Sequence, residues 1–159
     1  MEWIDVISRV THVGTAIVVA GGSVFLLAVL SPVIHDLDKE AGSRVSAAVV
    51  GRWRRFVHIG IALFLVSGFY NYFRAIPLHR GDGLYHGLVG TKMLLAFVLF
   101  FLASVLVGRS ERFEPMRQQR QKWLRVVVAL ATVIVAISGY VKVRGIPDRP
   151  AAEASPNDR

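Results

Sequence analysis

Four ionisable residues, His12, His58, His86 and Lys92, stand inside stretches that are otherwise apolar. An imidazole or ammonium in such a setting is costly unless it is paired or used, so each is a functional hypothesis. The chain has no cysteine, which excludes disulfides, thiolate metal sites and iron–sulfur clusters and leaves imidazole as the strongest iron ligand on offer. Two neutral imidazoles facing each other across a helical bundle are what a six-coordinate haem requires. Soft ligands for copper(I) are scarce: of Met1, Met93 and Met116, Met93 alone falls within an apolar run.

Position along the chain sorts these residues. His12 falls near one end of the first apolar run and His86 at the matching end of the third, so the two are expected at one level as axial ligands of a single haem b. Lys92 lies a turn or more inside the third run. It either snorkels to the interface or meets an anionic group such as a porphyrin propionate. His58 lies at the opposite end of the second run, about one turn past the basic Arg52-Trp53-Arg54-Arg55, and replaces His86 if the haem sits deeper. A plain structural imidazole bonded to a backbone carbonyl is the competing reading for His12, His58 and His86. His35 and His79 fall at boundaries or in loops and are expected to be solvated. No phosphate-binding glycine loop, zinc-protease motif, nucleophile elbow or intramembrane carboxylate pair is present.

The elements that must carry these groups follow from composition. The 159 residues are 53% hydrophobic with a mean hydropathy of +0.49, beyond the range of an ordinary soluble domain. A hydrocarbon core of about 30 Å needs roughly 20 apolar residues per helix. Four stretches qualify, at about 10–34, 56–73, 88–108 and 123–143, and residues 144–159 form a polar tail expected to be disordered. Backbone groups in lipid must be satisfied within the segment, so the fold class is all-α: a transmembrane four-helix bundle, up-down-up-down because the connections are short. Met1 to Asp5 holds no Lys or Arg and no small-residue cleavage site precedes Pro32, so the first span is expected to be retained. Gly14, Gly21, Gly22, Ser23, Gly60, Gly68, Ala96, Ala103 and Gly139 offer places for close helix approach. Asp36, Asp38 and Glu40 read as a solvated charge cluster.

The net charge of +8 does not form a surface stripe of the kind that binds nucleic acid. Eleven of the 19 basic residues fall in the connections Lys39 to Arg55 and Arg109 to Arg125. The positive-inside rule makes those connections cytoplasmic and puts both termini on the periplasmic side of an inner membrane. Tyr70, Tyr72, Tyr85 and Tyr140 then mark the outer rim, and Trp53 and Trp123 the inner one. The expected partners are the bilayer, haem or copper, a redox partner the residues do not specify, and a second copy in a homodimer.

One ordered set of residues resembles a known family. His12, Gly21-Gly22 and Pro32 in the first span are followed by Arg52-Trp53-Arg54-Arg55-Phe56 and Ser67-Gly68-Phe69-Tyr70-Asn71 around the second. Tyr85, Lys92 and Arg109 then mark the third. Over about residues 8–143 this order resembles the membrane domain of the bacterial copper-resistance protein D family (CopD) and, more distantly, its relative the haem b-binding membrane protoporphyrinogen oxidase (HemJ). The resemblance implies that His12 and Lys92 are the shared first-span His and third-span Lys. It also implies copper transport or resistance, or a protoporphyrinogen oxidase-like activity, as alternatives to haem-based electron transfer. His86 precedes Lys92 by six residues, whereas the oxidase pattern has a His closer to that Lys.

Overall fold

A computed structural model of the chain describes residues 2–145, so the tail expected over 144–159 falls, from residue 146 on, outside the described residues. Among the described residues the chain is helical, with no strand. Helix α1 covers Glu2–Asp36, α2 Lys39–Ala75, α3 Gly83–Val107 and α4 Arg120–Arg144. All four are long and apolar enough to cross a membrane.

Each boundary has a local cause. Proline at position 32 lacks an N–H and its ring presses on the preceding turn. The helix answers with a wide turn over Leu26–Leu30, in which the Ser31 N–H and the Ser31 hydroxyl, the latter at 2.8 Å, both donate to the Leu26 carbonyl. Asp38 starts α2 by accepting from the Ala41 N–H at 2.8 Å, an N-cap role added to the exposure expected of the Asp36, Asp38 and Glu40 cluster. Asp82 starts α3 in the same way, accepting from the Tyr85 N–H at 3.0 Å. Gly81 precedes it with φ of 81°, a left-handed turn position that suits glycine.

Helix α2 departs most from the expected span of 56–73. Its 37 residues measure about 55 Å at 1.5 Å per residue, well beyond a hydrocarbon core of about 30 Å. Hydropathy finds only the apolar part. The basic section upstream is helical because Asp38 caps it, because it lacks proline, and because it carries an i,i+4 pair at 3.4 Å between Arg44 and Glu40.

Helices α1 and α2 meet along stripes of small and polar residues. Asp5 pairs with Arg74, Ser8 with Asn71, His12 with Ser67, Val19 with Gly60, and Gly22 with Trp53, so the register descends on one helix as it ascends on the other. A Cβ on Gly60 would lie 2.7 Å from Val19 Cγ2, and one on Gly22 would run into the Trp53 ring. Of the expected close approaches, Gly22, Gly60 and Gly68 are made, whereas Gly14, Gly21 and Gly139 face open space. The outward face of α1 is apolar, with Ile4, Ile7, Val10, Val13 and Ile17 exposed, while Thr15 and Ser23 are buried. Apolar residues outward and small polar ones inward are the pattern compatible with a helix that faces lipid. On the other side of the bundle Leu99, Leu102 and Leu106 of α3 bury against Val127 of α4. Val57 of α2 packs with Ala103 and Val107 of α3, joining the two halves.

Candidate functional site

Phe64, Ser67, Gly68 and Asn71 are linked by three- and four-residue spacings and therefore share one face of α2. That face holds His12 of α1. His12 Nδ1 lies 2.9 Å from Ser67 Oγ, and the imidazole meets the Phe64 ring edge-on, with centroids 5.1 Å apart at 82°. Gly68 leaves the room the ring needs, since a Cβ there would stand 3.4 Å from His12 Cε1. Ser67 is 4% exposed, and its hydroxyl lies 2.6 Å from the Leu63 carbonyl. One turn further along, the Ser8 hydroxyl donates to Asn71 Oδ1 at 3.2 Å and lies 3.4 Å from the Ser67 carbonyl.

Helix α3 brings its own residues to this place. Lys92, Ala96 and Phe100 recur at four-residue steps, and Phe100 packs on Phe64 with centroids 5.6 Å apart. Lys92 lies within electrostatic range of His12. It is half-buried, and no ion pair among the described residues includes it. The site therefore presents an imidazole held on α1 beside the Phe64 ring and, on α3, an ammonium free of a carboxylate among the described residues.

The other expected ligands lie elsewhere. His86 Nε2–H donates to the His79 carbonyl at 3.1 Å, and its ring meets Tyr85 edge-on. His79 in turn stacks on Tyr85 at 3.6 Å and donates from Nδ1–H to the Ala75 carbonyl at 3.1 Å. His79 is thus part of a packed cluster at the 76–82 connection, where solvation was expected. His86 belongs to that cluster, about 9 Å along α3 from Lys92 at 1.5 Å per residue, and the structure joins it to His79 and Tyr85 instead of to His12. His58 donates from Nδ1–H to the Arg54 carbonyl at 2.8 Å on an exposed face of α2. His35 is 90% exposed beside Asp36. Among the described residues no three His, Asp or Glu side chains converge as a metal-binding group.

Ser67, Phe64, Asn71 and Phe100 were not singled out from the sequence as site residues. The signal available was the Ser67 and Asn71 pair, two polar residues four apart within an apolar run, which must share a face and need polar company. An open groove of about 320 Å³, lined by Asp5, Arg9, Asn71 and Arg74 among others, lies directly beyond the Ser8 and Asn71 contact. Its floor is fastened by Arg74, whose Nε and Nη2 donate to the two Asp5 oxygens at 2.9 Å each, and by Tyr70, whose hydroxyl donates to Asp5 at 2.8 Å. A matching clamp joins Arg144 to Asp82 at 2.7 and 3.0 Å.

Fold and site together define a helical protein with four helices fit to cross a membrane, an imidazole held between α1 and α2, and an unpaired ammonium on α3 among the described residues. In comparison with known proteins, the chain matches no family model, no curated protein and no solved structure.

Proposed function

We propose that this chain is an inner-membrane protein of four up-down-up-down spans that binds haem b between its helices and serves a redox or electron-transfer role. The observation that carries the reading is the juxtaposition of His12 and Lys92, one with a ring nitrogen free of any hydrogen bond among the described residues and the other with no anionic partner there. The donor set fits the group in part. His12 Nε2 suits an iron ligand, Lys92 suits a propionate, and Phe64 and Phe100 give the apolar surface a porphyrin face prefers. Bound haem supplies one-electron chemistry, while the protein supplies the ligand, the counter-charge and the exclusion of water. His86, whose Nε2–H is given to the His79 carbonyl, would reach such a group only through Nδ1.

The absorption spectrum of the detergent-purified protein, with metal analysis beside it, tests the reading. A Soret band with sharp reduced α and β bands is expected. Stoichiometric copper with a featureless visible spectrum replaces haem with the copper transport or resistance alternative, and consumption of protoporphyrinogen by the purified protein makes it an oxidase. A preparation free of both haem and copper that takes up neither overturns the proposal.

A further inference from the structure

We infer that Ser67 is a positioning residue that fixes His12 as the Nδ1–H tautomer and so makes Nε2 the atom through which His12 acts. The inference deepens the haem reading, because it names the ligating atom of that site and the residue that selects it.

A serine hydroxyl has one hydrogen and can accept as well as donate. Ser67 Oγ has two close neighbours, the Leu63 carbonyl at 2.6 Å and His12 Nδ1 at 2.9 Å. A carbonyl oxygen cannot donate, so the shorter contact is a hydrogen bond only if the Ser67 hydrogen lies in it. Turning that hydrogen toward His12 would leave two oxygen lone pairs facing each other at 2.6 Å in a buried place. With its hydrogen committed to Leu63, Ser67 Oγ can only accept from His12, which requires a proton on Nδ1. The bond made by one ring nitrogen decides the state of the other. In neutral His12, Nε2 therefore carries the lone pair. Phe64 packs edge-on against the imidazole, and Gly68 leaves the space in which the ring sits.

The tautomer is readable by nitrogen NMR of the full-length protein labelled with ¹⁵N-histidine, at a pH where His12 is neutral, with His12→Gln assigning the signal. The parent is expected to show a protonated Nδ1 and an unprotonated Nε2. Ser67→Ala should shift the balance toward Nε2–H, and Ser67→Thr, which keeps the hydroxyl, should restore the parent pattern. Haemin titrated as probe into cofactor-free protein should bind Ser67→Ala roughly 10–100-fold more weakly than the parent, the usual loss when the partner of a ligating histidine is removed. An Nε2–H tautomer in the parent overturns the inference whatever haemin does. An Nδ1–H tautomer that depends on Ser67, in a protein that binds neither haemin nor copper, upholds the inference and overturns the haem reading instead.

Discussion

A lysine held between helices without a carboxylate partner shapes its surroundings more than any neighbouring residue, because its charge must be answered by lipid headgroup, water or ligand. The haem reading assigns that answer to a propionate. Lys92→Met should then leave the helical content unchanged while weakening haem retention about tenfold, and equal haem content in parent and variant would return Lys92 to simple snorkelling. The histidines separate in the same experiment. His12→Ala is expected to lose the cofactor, His58→Ala to keep it, and His86→Ala to keep it while melting earlier, since His86 helps to close the connection through His79 and Tyr85. Loss of haem in His86→Ala with full retention in His12→Ala would sink the assignment. At this scale the anomalous residues were legible in the sequence, and which of them meet was not. His12 and His86 read as one level because both lie near a helix start, but a difference of one or two turns in how far each helix projects decides contact. That offset depends on where the Asp5–Arg74 and Asp82–Arg144 clamps fasten the ends, and these long-range pairs leave no spacing pattern in the chain.

Small residues set the distance between α1 and α2, and their effect depends on what each one faces. Gly60→Leu should cost about 1–3 kcal/mol, the usual penalty of overpacking a filled site, because its first carbon already collides with Val19. Gly14→Ala faces open space and should stay within about 0.5 kcal/mol of the parent. Thermal unfolding in detergent compares the two, and equal melting temperatures would mean that the α1–α2 contact is not close in solution. The clamp between α3 and α4 adds a pH dependence. Hydrogen bonding to Arg144, the larger influence, together with the Tyr85 N–H, holds the Asp82 carboxyl below its ordinary value, against a smaller opposing push from burial. A carboxylate whose folded pKa is depressed contributes stability that is present above its unfolded pKa and is lost as the pH falls through the folded value. The contribution of Asp82 should therefore be full at neutral pH and disappear only below about pH 4. Asp82→Asn keeps an acceptor for the Tyr85 N–H but loses the ion pair, so its melting temperature should lie below the parent at pH 7 and converge with it in acid. A gap that persists unchanged in acid would assign the effect to something other than the charge. Helix existence was legible because hydropathy reports it directly. Helix length was not, because the basic first half of α2 is helical by capping and local pairing and carries no apolar signal.

For the whole molecule, the long α2 bears on orientation. Its projecting section carries Lys39, Arg44, Arg52, Arg54 and Arg55, and the Arg54 Nε–H donates to the Val107 carbonyl at 2.7 Å, tying this basic end to the close of α3. The Arg109 to Arg125 connection begins two residues later. The two basic connections are thus joined at one end of the bundle, while Asp5, Arg74, Asp82 and Arg144 pair off at the connection between α2 and α3. By the positive-inside rule, this concentration of cations at one end of the bundle predicts that the basic end faces the cytoplasm. The chain has no native cysteine, so single cysteines report cleanly. Gln118→Cys, exposed in the basic connection, should resist a membrane-impermeant thiol reagent in intact cells and react after permeabilisation. Arg80→Cys, exposed between α2 and α3, should react in intact cells. The reverse pattern would invert the protein and move His12 and Lys92 toward the cytoplasmic side, where a haem would meet cytoplasmic electron donors instead of periplasmic ones.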